Sequence, residues 1–248
     1  MKTSLKIQIR DSLRTFLGLH SLLRLESAII NINNLIELKK LFCWTDDPIL
    51  SDASFYQFSN QLDLNNRRLL DAQVIGAVVK NTNPGICLDI GTAEGHSAAL
   101  MAVNAPQAMI HTINIPPEEI LSGEGGVFTT IAMERDRIGS YYREQGLGNI
   151  VQILANTAKW EPKIGTIDVA FIDGCHDAEF VFNDTKKVLS RAKSGSFILW
   201  HDFNLELWNK YAWIHDACKG VEMLLEQGLI SGNIFHVRDS WVGIYRVP

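Results

Sequence analysis

ICLDIGTAEGHSA, residues 86–98, is the run on which the fold of this 248-residue chain is read. Five mostly apolar residues, Ile86 to Ile90, lead straight into Gly91, and Gly95 follows four positions later, where the sequence begins to suit a helix. A buried strand, a tight glycine turn and a helix in that order are the opening unit of a parallel α/β sheet. The spacing is GxxxG. Ala93 stands where a dinucleotide fingerprint needs its second glycine, so a nicotinamide dinucleotide is disfavoured. Asp89 argues the same way, because a carboxylate at the strand end would repel a pyrophosphate and attract a cationic amino-acid moiety.

Downstream, MIHTINI (109–115), IVQILA (150–155), IDVAFID (167–173) and SFILWHD (196–202) repeat the short apolar or alternating pattern, most of them separated by helix-length stretches. That alternation predicts a Rossmann-like, doubly wound α/β sheet, mostly parallel. Residues 233–248, NIFHVRDSWVGIYRVP, hold two strand-like runs around Arg238-Asp239-Ser240 and predict a C-terminal antiparallel hairpin. Upstream, LLDAQVIGAVVKN predicts a helix ending near Asn81, and WTDDPILSDAS (44–54) is a turn-rich separator. Residues 1–43 carry apolar side chains at helical spacing, among them Leu5, Ile9, Leu13, Leu25, Ile29 and Ile32, which predicts one or two amphipathic helices. The expected division is an N-terminal helical cap or oligomerisation segment, 1–64, and one α/β domain, 65–248.

Charge narrows the function classes. The chain carries a net −5, which gives no reason to expect a nucleic-acid partner, since phosphate backbones are held mainly by clustered Lys and Arg. Cys43, Cys87, Cys175 and Cys218 form no CxxC pair and read as reduced, cytosolic thiols. Charges at Lys2, Lys6, Arg10 and Arg14 leave no room for a signal-peptide core, and no apolar run is long enough to span a bilayer. The expected protein is cytoplasmic, with a homo-oligomer through the N-terminal helices as the assembly that segment would allow.

In an open parallel sheet, ligands bind beyond the carboxyl ends of the strands. The residues there are polar: Asp89 to Gly95, Asn114 to Glu119, Asn156 and Thr157, Asp173 to His176, and His201 to Asn204. The run from Ile86 to Gly95 resembles the first motif of class I S-adenosylmethionine-dependent methyltransferases, and the closing hairpin resembles that family's last two strands. The similarity covers roughly residues 65–248. It implies S-adenosylmethionine as cofactor, held by Asp89, Gly91, Thr92, Glu94 and Gly95, with Asp173 beside it. Asn156 and Thr157 stand where the family contacts adenine. Asn114 stands where the family usually has an acidic residue for the ribose, with Glu118 or Glu119 as substitutes.

Residues 170–204, AFIDGCHDAEFVFNDTKKVLSRAKSGSFILWHDFN, put Asp173 and His176 after one strand and His201 and Asp202 after the next. Adjacent strand ends bring such groups within reach of one metal or one substrate. Methyl transfer to a hydroxyl needs that oxygen deprotonated and held in line, which a general base or a divalent metal can achieve. The stretch resembles metal-dependent O-methyltransferases acting on macrolide sugars, a branch related to catechol-type methyltransferases and to the cephalosporin-hydroxylase group. The resemblance implies Asp173, His201 and Asp202 as metal ligands and His176 as base. The family's acidic pair is Glu-Asp; with His201 in first place, the expectation is a softer ion such as manganese, iron or zinc in preference to magnesium, or no metal at all.

The implied partner is a small-molecule acceptor such as a sugar, another natural product or a phenol. Phe203, Trp208, Tyr211 and Trp213 are candidates to wall its pocket, and IPPEEILSGEGGVFTT (115–130) is a candidate lid. Two other readings compete. GHSAA (95–99) resembles a relaxed nucleophile elbow, which would make Ser97 a hydrolase serine, although it lies inside the predicted helix. The fold could also bind the cofactor without turnover, as part of a partner complex.

Overall fold

The computed structural model describes residues 22–50, 68–121 and 133–248. Helix α1 (Leu23–Ala28) leads into strand β1 (Ile29–Ile32) and helix α2 (Leu35–Leu41). Helix α3 (Arg68–Thr82) precedes β2 (Ile86–Ile90), α4 (His96–Asn104), β3 (Met109–Asn114), α5 (Pro117–Leu121) and α6 (Ser140–Glu144). Then come β4 (Ile150–Leu154), β5 (Ile167–Ile172), α7 (Ala178–Leu189), β6 (Ala192–Trp200) and α8 (Ala212–Glu226), and the chain closes with β7 (Ile234–Val237) and β8 (Gly243–Arg246).

These eight strands form one sheet in the order β1-β7-β8-β6-β5-β2-β3-β4. Strands β2 to β6 pair in parallel, whereas β8 lies antiparallel between β6 and β7. The expected doubly wound sheet and terminal hairpin are both present. Strand order reverses between β2 and β5, and that switch point is where a crevice opens in such sheets.

The sheet is covered on both faces because its strands are apolar in both directions. Leu88, Ile90, Ile172 and Trp200 face a cluster with Val181 of α7 and Ile214, Val221 and Leu224 of α8. Cys87, Val169, Phe171 and Leu199 face the other cluster, with Val74 and Val78 of α3 and Ala98 and Met101 of α4. One ionic tie sets register: Asp168 accepts the backbone N–H groups of Gly85 and Ile86 at 2.8 and 3.0 Å, pinning the start of β2 to β5.

The N-terminal region departs from its expected all-helical form. Ile29, Ile30 and Ile32 are β-branched and extend the sheet by pairing in parallel with β7, Ile29 opposite Ile234 through Ile32 opposite Val237. The capping of α2 explains why the helix restarts only at Leu35: Asn34 accepts the Glu37 N–H at 3.0 Å, and Glu37 accepts the Asn33 N–H at 3.0 Å. Residues 1–21, the expected boundary at 64 and the lid glycines at 123, 125 and 126 lie outside the described residues.

Candidate functional site

The glycine loop is shaped by its neighbour strand. Gly91 has φ +109°, and a Cβ there would sit 2.0 Å from the Asp173 carbonyl oxygen, so the β5 strand end itself excludes a side chain. Ala93, also at positive φ, donates its N–H to Asn114 Oδ1 at 3.0 Å. Asn114 Nδ2 in turn donates to the Ile115 carbonyl. The residue expected at a ribose therefore also props up the glycine loop, using one acceptor site and one N–H of its amide.

Asp89 is fully buried behind this loop. Thr112 donates its hydroxyl to Asp89 Oδ2 at 2.6 Å, Thr92 and Thr112 hydroxyls are 2.7 Å apart, and Gln152 Nε2 donates to Thr92 at 3.0 Å. Asp89 Oδ1 has no hydrogen-bond partner among the described residues. Burial pushes the Asp89 carboxyl up to about 7, with the Thr112 and Ser97 hydroxyls opposing it. Ser97 sits in the first turn of α4, on a helix and not on a strand-to-helix elbow, which removes the geometry a nucleophilic serine would need.

A cavity of about 220 Å³ opens beside the switch point. Gly91, Asn114, Asn156, Thr157, Asp173 and His176 line it, as the sequence led one to expect. Its apolar wall comes from Ile90, Ile113, Ile115, Met133, Ala155 and Phe180. Phe180 and Met133 carried no motif; Phe180 reaches the cavity because it lies in the first turn of α7. Asn156 is buried, and its Nδ2 has no acceptor among the described residues.

Other expected residues lie elsewhere. Glu94 pairs with Arg137 and approaches His96 at 3.7 Å, and Thr92 and Gly95 are not on the cavity wall. Phe203 and Trp208 are core side chains, Phe203 stacking on Trp200, so the aromatic run after β6 does not wall the cavity.

At the ends of β5 and β6 the ladder continues one step beyond the strands. Asp173 donates its N–H to the Ile90 carbonyl and His201 donates to the Ile172 carbonyl, which sets the two side chains next to each other. Asp202 follows with φ +51°, a left-handed conformation uncommon outside glycine but one that aspartate adopts more readily than most residues. One ligand atom each from Asp173, His201 and Asp202 lies within 4.8 Å of the others. His201 Nδ1 is 3.1 Å from Asp173 Oδ1 and 3.6 Å from Asp202 Oδ2. His176 Nε2 is 2.9 Å from Asp202 Oδ2 and 3.3 Å from Asp173 Oδ1.

Electrostatics follow from this packing. Burial opposes charge on Asp173 and Asp202, but the charge on His201 and hydrogen bonds with His176 and His201 hold both carboxyls below the usual range. Burial alone would lower His176; hydrogen bonds to Asp173 and Asp202 outweigh it and raise the imidazolium to about 10. His201 is likewise driven well above its ordinary value, burial being outweighed by Asp173 and Asp202. The sequence missed one member. Asp71 of α3, itself buried, places Oδ2 3.4 Å from His201 Nε2. A lone carboxylate inside an apolar helix was its only signal.

Residues 88–203 match the family model described as a methyltransferase domain. None of the curated proteins matches the sequence. Among solved structures, the chain is similar to the O-methyltransferase NovP, at 15% identity over 74% of this chain and 78% of that one, with a TM-score of 0.52. It is similar to cofactor-bound Rv0187 from MTB at 17% identity over 71% and 78%, with a TM-score of 0.51. An O-methyltransferase from Bacillus cereus in complex with SAH aligns over 95% of this chain and 94% of its own, at 12% identity and a TM-score of 0.50. The chain shares the fold of these solved structures. No helix among the described residues is long and apolar enough to cross a membrane.

Proposed function

We propose that this methyltransferase-domain chain is an S-adenosylmethionine-dependent O-methyltransferase acting on a hydroxyl of a small molecule. One observation carries the reading: the glycine loop after β2 and Asp173 and His176 after β5 line one switch-point cavity, and Asp202 and His201 after β6 lie 2.9 Å from His176 and 3.1 Å from Asp173. The residues suit the cofactor. Asn156 Nδ2 offers a buried, unused donor at the cavity wall, and Asp89 keeps one oxygen, Oδ1, without a hydrogen bond among the described residues behind the loop. S-adenosylmethionine would supply a methyl group on a positively charged sulfur.

The cluster also suits a divalent cation. Ligand bonds of about 2.1 Å meeting at 90–110° separate donor atoms by roughly 3.0–3.4 Å. The 3.1 and 3.6 Å separations around His201 Nδ1 are close to that range. Asp173, His201 and Asp202 would hold the ion, and both carboxyls are already disposed to ionise.

Transfer breaks the bond from sulfur to methyl, forms the bond from methyl to oxygen, and leaves the hydroxyl proton to a base. His176 lines the cavity and is the group placed to take it. With Asp173 and Asp202 uncompensated, His176 already carries a proton at neutral pH and would donate instead of accept. A cation on those carboxylates would supply the charge that releases the proton, and would acidify the acceptor hydroxyl as well. Ile115, Met133 and Phe180 give the cavity an apolar wall.

The test is calorimetric titration with S-adenosylhomocysteine, followed by turnover of S-adenosylmethionine against a panel of hydroxylated sugars and phenols. Micromolar binding and acceptor-dependent turnover support the reading. Failure to bind would sink it, and binding without turnover on any hydroxyl would leave a cofactor-binding partner protein.

A further inference from the structure

Asp71 sits one turn into α3, where the remaining buried residues are Ala72, Val74, Ile75, Gly76, Ala77, Val78 and Val79. A carboxylate inside such a face is costly unless its oxygens are engaged. Oδ1 accepts the backbone N–H of Trp241, in the turn between β7 and β8, at 2.7 Å. Trp241 in turn accepts the Phe203 N–H through its carbonyl, so the same turn fixes the segment just past Asp202. Oδ2 faces His201 Nε2 at 3.4 Å.

Capping one backbone N–H does not require a negative charge; an asparagine oxygen would serve. Among the described residues, the ionisable partner that Asp71 meets is His201. That ring is bracketed, with Asp71 on Nε2 and Asp173 and Asp202 on Nδ1. The edge of Phe171, with centroids 5.8 Å apart, and the Trp241 ring at 6.3 Å limit its rotation.

We propose that Asp71 is a positioning residue: by facing Nε2 it keeps a proton of His201 there, so that Nδ1, the nitrogen facing Asp173 and Asp202, is the one that yields its proton to a cation. An imidazole has two nitrogens, and the hydrogen bond made by one decides which electron pair the other can offer. Carboxylates placed behind a ligating histidine fix its tautomer and raise its basicity. The use of Nδ1 as a ligand rests on the cation reading given above; the Asp71–His201 contact does not.

The test uses full-length protein labelled with ¹⁵N-histidine, saturated with S-adenosylhomocysteine and titrated with zinc, a diamagnetic probe. In the native protein, long-range proton–nitrogen spectra should show His201 protonated at Nε2 with slow solvent exchange, and zinc should perturb Nδ1. Asp71→Asn keeps an oxygen for Trp241 and removes the acceptor for His201. It should lose the slowly exchanging proton and weaken zinc binding by about 10- to 100-fold, while leaving S-adenosylhomocysteine affinity unchanged.

An Asp71→Asn protein with the sheltered Nε2 proton and native zinc affinity would overturn the proposal. So would a native protein whose His201 is protonated at Nδ1 with Nε2 bare, a result that needs no variant to fold. If the native protein binds no zinc, manganese or magnesium, the cation reading fails on its own. The Nε2 proton still decides the role of Asp71, its loss in Asp71→Asn supporting it and its persistence refuting it.

Discussion

His176 Nε2 lies 2.9 Å from Asp202 Oδ2, closer than its 3.3 Å approach to Asp173 Oδ1, although Asp173 is its neighbour in sequence. The imidazole is therefore held by the end of β6 as much as by its own loop, and it borders the cavity. His176→Ala should lower kcat by about 10²- to 10⁴-fold and leave S-adenosylhomocysteine affinity nearly intact, because a base acts on the acceptor's proton. Steady-state kinetics beside calorimetry separate the two effects. A native rate would move the role to another group, His201 first.

Gly91→Ala should weaken S-adenosylhomocysteine binding by at least about tenfold, roughly 1.4 kcal/mol. The added Cβ meets the Asp173 carbonyl at 2.0 Å, so loop and strand end must part. Gly146→Ala is the control. It too has positive φ, +66°, but nothing lies within 4 Å of its Cβ, so it adds backbone strain without a collision. Equal affinities in both variants would mean that the β2 loop does not shape the cofactor site.

Chelation should suppress turnover, and manganese or iron should restore it at least as well as magnesium, since an imidazole ligand disfavours the hard ion. Asp202→Asn should shift the metal dependence to higher concentration by removing one of the two anionic ligands. Metal titrations of the rate measure both. Full activity in strong chelator would leave a metal-free enzyme in which His201 orients the acceptor.

Asp184, on α7, is buried with no hydrogen-bond partner for either oxygen among the described residues. Burial raises its carboxyl to about 7, with Thr157 and Lys187 opposing. Below the ordinary value of 3.8 both folded and unfolded chains hold this proton. As pH rises toward 7 the unfolded chain has lost it while the folded chain still binds it, so the stabilisation present at low pH drains away. Asp184→Asn should raise Tm at pH 8 by about 2–4 °C for each kcal/mol relieved, with the difference vanishing near pH 4. Differential scanning fluorimetry across that range would read it, and a lower Tm at pH 8 would refute it.

The strands, the glycine turn and the hairpin were legible because each is a local pattern: apolar runs of five or six residues, two glycines four apart, and a turn between alternating segments. Asp173, His176, His201 and Asp202 were legible as a group for a related reason, since a parallel sheet carries the residues after adjacent strands to the same edge. Contacts between distant segments were not. Ile29–Ile32 has apolar spacing that fits a helix as well as a strand, and only the open edge of β7 selects the strand. Asp71 precedes His201 by 130 positions, and its role exists only because α3 packs across the sheet beneath the β7–β8 turn. Asn114 kept its predicted place at the end of β3, yet its amide also holds Ala93, a bond that depends on how far the glycine loop folds back. Local periodicity marks most of the segments that become strands and the residues that reach the sheet's edge; which strands pair, and how each side chain there is oriented, is set by packing between segments far apart in the chain.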